Sequence, residues 1–428
     1  MYYSINKPNC VNVILMKNDD INALLSEFTK YKNLHLNLNM TRGKPCPEQL
    51  DLNMQLLDVL NSTSNLLSES GVDYRNYGVV DGIDECKGLI GDIFNVNPDN
   101  VLIYGNSSLH IMYEQISRSY THGVLGSTPW CKLDKKVKWL CPVPGYDRHF
   151  AITEYFDIEM INIPLNYDGP DMDLVEEYVK DPLIKGIWCV PQYSNPSGIT
   201  YSDEVVKRLA RLKPSAKDFR IYWDDAYIVH HLYDEHDQLL DIMKESLLAG
   251  NPNLVYTFFS TNKISFPGSG VSALIASEEN IKEIRKQMSV STIGYDKLNQ
   301  LRHVKFFINA DGIKKHMKKH AEIIRPKFEL VERILEEELK DVATWSKPKG
   351  GYFISLEVPD IAKQVIDRCK VCGVILTDAG AAFPYHLDPN NSNIRISPTY
   401  PNLKELELAT KILCLSVKIE YSLLNKSH

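Results

Sequence analysis

From about residue 80 to residue 280, short and mostly apolar runs alternate with longer segments whose apolar positions recur every three or four residues. Val101 to Tyr104, Val137 to Leu140, Glu159 to Ile163, Gly186 to Val190, Ile221 to Trp223, Val255 to Phe259 and Ser272 to Ile275 read as strands. They are short, rich in β-branched and aromatic residues, and suited to a sheet covered on both faces. Strands alternating with helical segments predict an α/β region with a mostly parallel sheet flanked by helices. Residues 311 to 340 break the rhythm with one long charged helix, carrying Lys314, Lys315, Lys318 and Lys319 early and Glu332, Glu336, Glu337 and Glu338 late. Gly350 to Leu356 then returns to strand, which predicts a second, smaller α+β domain.

Composition changes this picture little. A chain of 428 residues with 44% hydrophobic content buries a large core and suggests two domains, or one with an appendage. A net charge of −7 and charges of mixed sign leave no basic footprint for nucleic acid. Nine cysteines, an odd number at irregular spacing, point to reduced thiols in a cytoplasmic protein rather than a disulfide framework. No apolar run approaches the roughly 18 residues of a membrane span, and no secretory leader pattern opens the chain, so a membrane partner is not expected. Cys369-Lys370-Val371-Cys372 is a lone pair where structural zinc takes four ligands, and is expected to be core packing. His230, His231 and His236 lie among Asp234, Glu235 and Asp237 and are expected to be solvated; no metal site is predicted. Neither a GxGxxG fingerprint nor a GxxxxGK loop occurs.

The candidate chemistry gathers at the ends of the predicted strands. After Val255 to Phe259 come Ser260-Thr261-Asn262-Lys263-Ile264-Ser265-Phe266-Pro267-Gly268, which deliver one amine into a turn of small residues. A lysine crowded by apolar groups loses solvation and becomes a nucleophile; a solvated loop lysine is the ordinary alternative. Pro191 to Gly198 places the Asn195 amide after another strand, where it can donate to a phenolate oxygen. Ile221-Tyr222-Trp223-Asp224-Asp225-Ala226-Tyr227 brings a carboxylate and a phenol to a strand end, and that carboxylate suits a protonated pyridine nitrogen. Asn393-Ile394-Arg395-Ile396-Ser397-Pro398 sets a planar fork between apolar neighbours, fit for bidentate capture of a carboxylate. Tyr104-Gly105-Asn106-Ser107-Ser108, running from strand through glycine turn into helix, fits a phosphate site at a helix N-terminus; a plain N-cap has the same pattern.

Asn195, Asp224 with Tyr227, Lys263 and Arg395, in that order, resemble the fold-type-I pyridoxal-phosphate (PLP) enzymes of the class I/II aminotransferase family, from about residue 36 onward. Asn39 to Pro45, Val143 to Phe150 and Asn299 to His303 are similar to the MocR-like subgroup, which includes aspartate aminotransferases. The resemblance implies residues 1–65 as an N-terminal segment of the small domain, 66–310 as the large PLP-binding domain, and 311–428 as the C-terminal small domain with a bridging helix. It implies Lys263, Asp224 and Tyr227 as catalytic residues, with Ser107, Ser108, Tyr146, Asn195, Ser260 and Tyr77 joining them around PLP. Tyr146 would stack on the pyridine ring. Tyr77 would reach the phosphate of a neighbouring subunit, which makes the expected unit a homodimer. Arg395, Gly43, Asn195 and Arg148 are implied at the substrate, with Arg42 or Arg148 as candidates for a distal carboxylate. Many relatives carry an arginine about eight positions after the lysine; Val271 stands near that place, so phosphate binding leans on Ser260, Ser265, glycine amides or a cation such as Arg302.

The implied reaction is ping-pong transfer of an amino group between an L-amino acid, aspartate or glutamate favoured, and a 2-oxo acid. A lyase, decarboxylase or synthase of the same fold, and aromatic or broad specificity, are the alternatives. A transcription regulator of this fold would need a DNA-binding module, and only ~35 residues precede the matching region, without a helix-turn-helix pattern.

Overall fold

The structure is a computed structural model and describes residues 18–41 and 43–426. Its strands, in chain order, are β1 (Leu38–Asn39), β2 (Val101–Ile103), β3 (Lys138–Val143), β4 (Glu159–Asn166), β5 (Gly169–Pro170), β6 (Ile184–Cys189), β7 (Arg220–Asp224), β8 (Val255–Ser260), β9 (Ser272–Ile275), β10 (Thr344–Trp345), β11 (Ile354–Glu357), β12 (Val374–Ile375) and β13 (Asn393–Ile396). Eight of them form one sheet in the order β2-β9-β8-β7-β6-β3-β4-β5. The pairs β8/β7, β7/β6, β6/β3 and β3/β4 are parallel, while β9 runs antiparallel to both of its neighbours. The architecture is therefore α/β with a mostly parallel sheet, as the alternating pattern predicts.

Strands β2, β6, β7 and β9 are buried at every position, because helices cover both faces of the sheet. Packing across them is tight. Gly186 in β6 lies so close to the Trp139 ring that a Cβ there would sit 2.3 Å from Cη2. Because β8, β7, β6 and β3 run parallel, and β2 shares their direction through β9, all five point their carboxyl ends to one edge. Segments that are distant in sequence converge there, which is where open α/β sheets place their ligands.

The long helix Ala310–Leu339 buries Ile313, Met317, Ile324, Phe328, Val331 and Leu335, a stripe at three- and four-residue spacing that hides one face and leaves most of its charges outside, Lys327 being buried with its Nζ donating to Thr399 O. Its second half joins a core containing Phe28, Leu38 and Met40 from the first part of the chain and Leu356, Val365 and Leu413 from the last. Around that core β10, β11 and β13 form an antiparallel sheet, and β1 pairs parallel with β12. Cys369 and Cys372 pack into the same core as free thiols.

The histidine loop departs from the expectation of solvated side chains. His230 is buried against Tyr227 and Tyr352 with neither ring nitrogen bonded, and His231 bonds Tyr193 Oη at 2.8 Å. The loop folds back onto Gly350, to which His231 is bridged, and this contact over a long sequence separation buries residues whose acidic neighbours suggest solvent. No group of three or more metal-ligating side chains occurs among the described residues, and none of the described helices is long and apolar enough to cross a membrane.

Candidate active site

A cavity of about 440 Å³ opens at the carboxyl edge of the sheet, with Lys263, Asp224, Asn195 and Arg395 in its wall. Asp224 ends β7, Lys263 lies in the turn just past β8, Asn195 follows β6, and Arg395 projects from β13. Three parallel strands and one strand of the C-terminal sheet thus supply the four groups.

The Lys263 side chain faces the cavity but is crowded elsewhere, and burial lowers its amine below the ordinary lysine range, with Asp224 partly opposing the shift. Its Nζ lies 4.8 Å from the centroid of the Tyr227 ring. Asp224 is 4% exposed; its Oδ2 accepts from His149 Nε2 at 3.0 Å, while its Oδ1 is buried without a hydrogen-bond partner. A buried carboxylate oxygen without a donor is costly, so a cationic N–H directed into this cavity would satisfy it. His149 is itself fixed by stacking on Trp188, at 4.4 Å between centroids and 13° between planes.

Tyr146 and Tyr227 both line the cavity, and burial raises each phenol above its ordinary range. At the wall formed by the start of helix Ser108–His122, Ser107 occupies the N-cap position yet its hydroxyl makes no cap hydrogen bond. Ser107, Ser108 and Ser260 therefore present hydroxyls to the cavity beside a helix N-terminus, an arrangement that suits an anion. Gly43 also lines the cavity, where a Cβ would approach Phe353 Cζ to 2.6 Å. Arg148 is exposed at the mouth.

Not every candidate converges. Tyr77 is 84% exposed and is not part of this wall. Arg302 stands on helix Lys297–Phe307 with Nη1 3.4 Å from Asn299 Oδ1, also away from the cavity. Arg42 lies outside the described residues. Conversely, Lys44, Asn262 and Asp147 line the cavity without having been singled out in the sequence. His149 could have been found: it follows Tyr146 by three residues, which at the start of a helix brings both to one face.

A buried polar network lies under the lysine turn. Gln49 Nε2 donates to Tyr352 Oη at 3.0 Å and lies 3.0 Å from His320 Nδ1, Tyr352 Oη reaches Lys263 O at 3.5 Å, and Asn53 Nδ2 donates to Ser265 O at 3.2 Å. Side chains from the beginning of the chain, the long helix and the turn that leads into β11 thus brace the backbone that carries the amine, as preorganisation requires.

The family described as "Aspartate amino-transferase" matches residues 16–424. The chain is 48% identical to a putative aminotransferase of Mycolicibacterium smegmatis over 87% of its own length and 88% of the relative's. It is 46% identical to an aspartate aminotransferase of Corynebacterium glutamicum over 90% and 89%. A crystal structure of an aspartate transaminase from Corynebacterium glutamicum superposes with a TM-score of 0.92 at 43% identity, covering 96% of this chain and 98% of that one.

Proposed function

Because this chain belongs to the aspartate amino-transferase family and is therefore a transaminase, we propose that its donor is L-aspartate or L-glutamate, its acceptor a 2-oxo acid, and its cofactor PLP held in the cavity around Lys263. The observation that carries this reading is the partnerless Oδ1 of Asp224 in the cavity of Lys263, a fit to a protonated ring nitrogen. Bound there, the cofactor supplies an electron sink for negative charge developing at the substrate Cα.

The roles of the chain's own residues follow from their chemistry. Lys263 would hold the cofactor through Nζ, and its amine, when free, would serve as the general base that takes the proton from the substrate Cα; its lowered basicity suits that task. Asp224 accepts from the ring N–H through Oδ1. Asn195 Nδ2 and the Tyr227 hydroxyl serve the phenolate oxygen. Tyr146 covers the ring face and excludes water. Ser107 and Ser108, with the N-terminus of their helix, and Ser260 at the end of β8 hold the phosphate, and Tyr77 does so for the partner copy in a homodimer. Arg395 takes the α-carboxylate, beside Gly43 and Asn195. A distal carboxylate meets Arg148, which has no ion-pair partner among the described residues, and its attraction favours dicarboxylic substrates.

Absorbance spectroscopy of the protein with PLP, beside Lys263→Ala, tests the reading. The wild type should show a visible band that the variant lacks, L-aspartate should remove it, and 2-oxoglutarate should restore it. A band that neither L-aspartate nor L-glutamate alters would refute the dicarboxylate assignment, and a band retained by Lys263→Ala would refute the lysine.

A further inference from the structure

The Arg395 guanidinium is engaged on every side by the protein itself. Nη1 donates to Asp147 Oδ1 at 3.0 Å and to Asn195 Oδ1 at 3.2 Å; Nε and Nη2 donate to Thr377 Oγ1 at 3.3 and 3.1 Å; Nη2 reaches Thr41 O at 3.5 Å. Among these acceptors only Asp147 is charged. Its carboxylate has the same chemistry and the same partner as the α-carboxylate of an amino acid. Two carboxylates on one guanidinium repel each other, so a substrate that docks at Arg395 has to weaken or displace this ion pair.

The surroundings make displacement feasible. Asp147 opens the helix Asp147–Tyr155, where the positive end of the helix stabilises a carboxylate by itself. Its side chain is 29% exposed, whereas that of Arg395 is 8% exposed and lies with Cζ 5.1 Å from the Phe353 ring centroid. The acid can swing towards water while the guanidinium stays held by Thr377 and Phe353.

We propose that Asp147 is a built-in competitor for the substrate α-carboxylate: a positioning residue that keeps the Arg395 fork neutralised and yields it only to an incoming anion. The proposal rests on the assignment of Arg395 made above. The competing pair is broken alike in the bound complex and in the transition state, so its cost falls on KM and leaves kcat untouched. It also falls equally on every amino acid, because the α-carboxylate is common to all.

The test is Asp147→Asn, which keeps shape and removes charge, assayed as the PLP-loaded enzyme with L-aspartate and with L-alanine, and by calorimetric titration with succinate. The expected result is a KM lower by about tenfold for both amino acids, about 1.4 kcal/mol, with kcat within about twofold. Succinate should bind tighter by a similar factor. A higher KM would show that Asp147 holds Arg395 in place for the substrate, an unchanged KM that the pair yields without cost, and a gain confined to L-aspartate that the charge acts on a distal carboxylate; each overturns the proposal. Asp147→Ser, which keeps a residue suited to a helix start, serves if the Asn variant folds poorly. Failure of the dicarboxylate reading looks different: the wild type would then turn over L-alanine without binding succinate, and the effect of Asp147 on L-alanine would still be read.

Discussion

Replacing His149 by Phe isolates one link between the fold and the chemistry. The substitution keeps an aromatic ring against Trp188 and deletes one hydrogen bond, the 3.0 Å contact from Nε2 to Asp224 Oδ2. With a carboxylate as its partner, Nε2 is the ring nitrogen that carries the hydrogen. Asp224 Oδ1 is already without a protein donor, so the variant leaves the whole buried carboxylate unpaired within the chain. A hydrogen bond to a charged group contributes about 1.5 to 3 kcal/mol. If the charged form of Asp224 is what catalysis uses, kcat/KM for L-aspartate should fall by about tenfold to a hundredfold, at about 1.4 kcal/mol per decade. The thermal melt of the PLP-loaded protein, read beside the kinetics, checks that the fold survives. A variant that melts within about 2 °C of the wild type and keeps kcat/KM within about twofold would refute the reasoning, because the His149 hydrogen bond would then do nothing for Asp224.

Further outcomes follow from burial and packing. Burial, aided by the charge of Asp224, pushes the Asp225 carboxyl from 3.8 up to about 8. The native state thus binds a proton that the unfolded chain has released, and stability present below about pH 4 is lost as pH rises towards 8, at up to about 1.4 kcal/mol per pH unit. Asp225→Asn should remove most of that decline in urea midpoints compared at pH 5.5 and 7.5; parallel pH profiles for variant and wild type would contradict it. Gly186→Ala forces a methyl into the Trp139 ring and should cost about 3 kcal/mol, seen as a lower urea midpoint at unchanged slope. Adding Trp139→Phe should recover part of that loss, and no recovery would place the strain elsewhere.

Local pattern was enough for seven strands of the large sheet and for the amine. Strands β2, β3, β6, β7, β8 and β9 each overlap a run of apolar residues, because a strand covered on both faces must be largely apolar, while β4, exposed at Glu159, Asn162, Pro164 and Asn166, shows only a partial run. The helix Ala310–Leu339 shows itself through its spacing for a similar reason. Lys263 and Asn195 were legible because each follows such a strand and Asp224 because it ends one, and parallel strands deliver whatever lies at their ends to one edge. What periodicity could not reveal is pairing at a distance. The Asp147–Arg395 ion pair joins residues 248 positions apart, the His149–Asp224 bond spans 75, and Gln49 meets Tyr352 across 303. Likewise, an acidic loop sequence said nothing of the burial of His230, which is imposed by contact with Tyr352 and Gly350. The sequence by itself determined which segments become the main strands of the large sheet and the long helix, since that depends on hydrophobic spacing within a few residues. Only the tertiary structure decided which charges face each other, because a hydrogen bond acts over about 3 Å and has no signature in the chain that separates its partners.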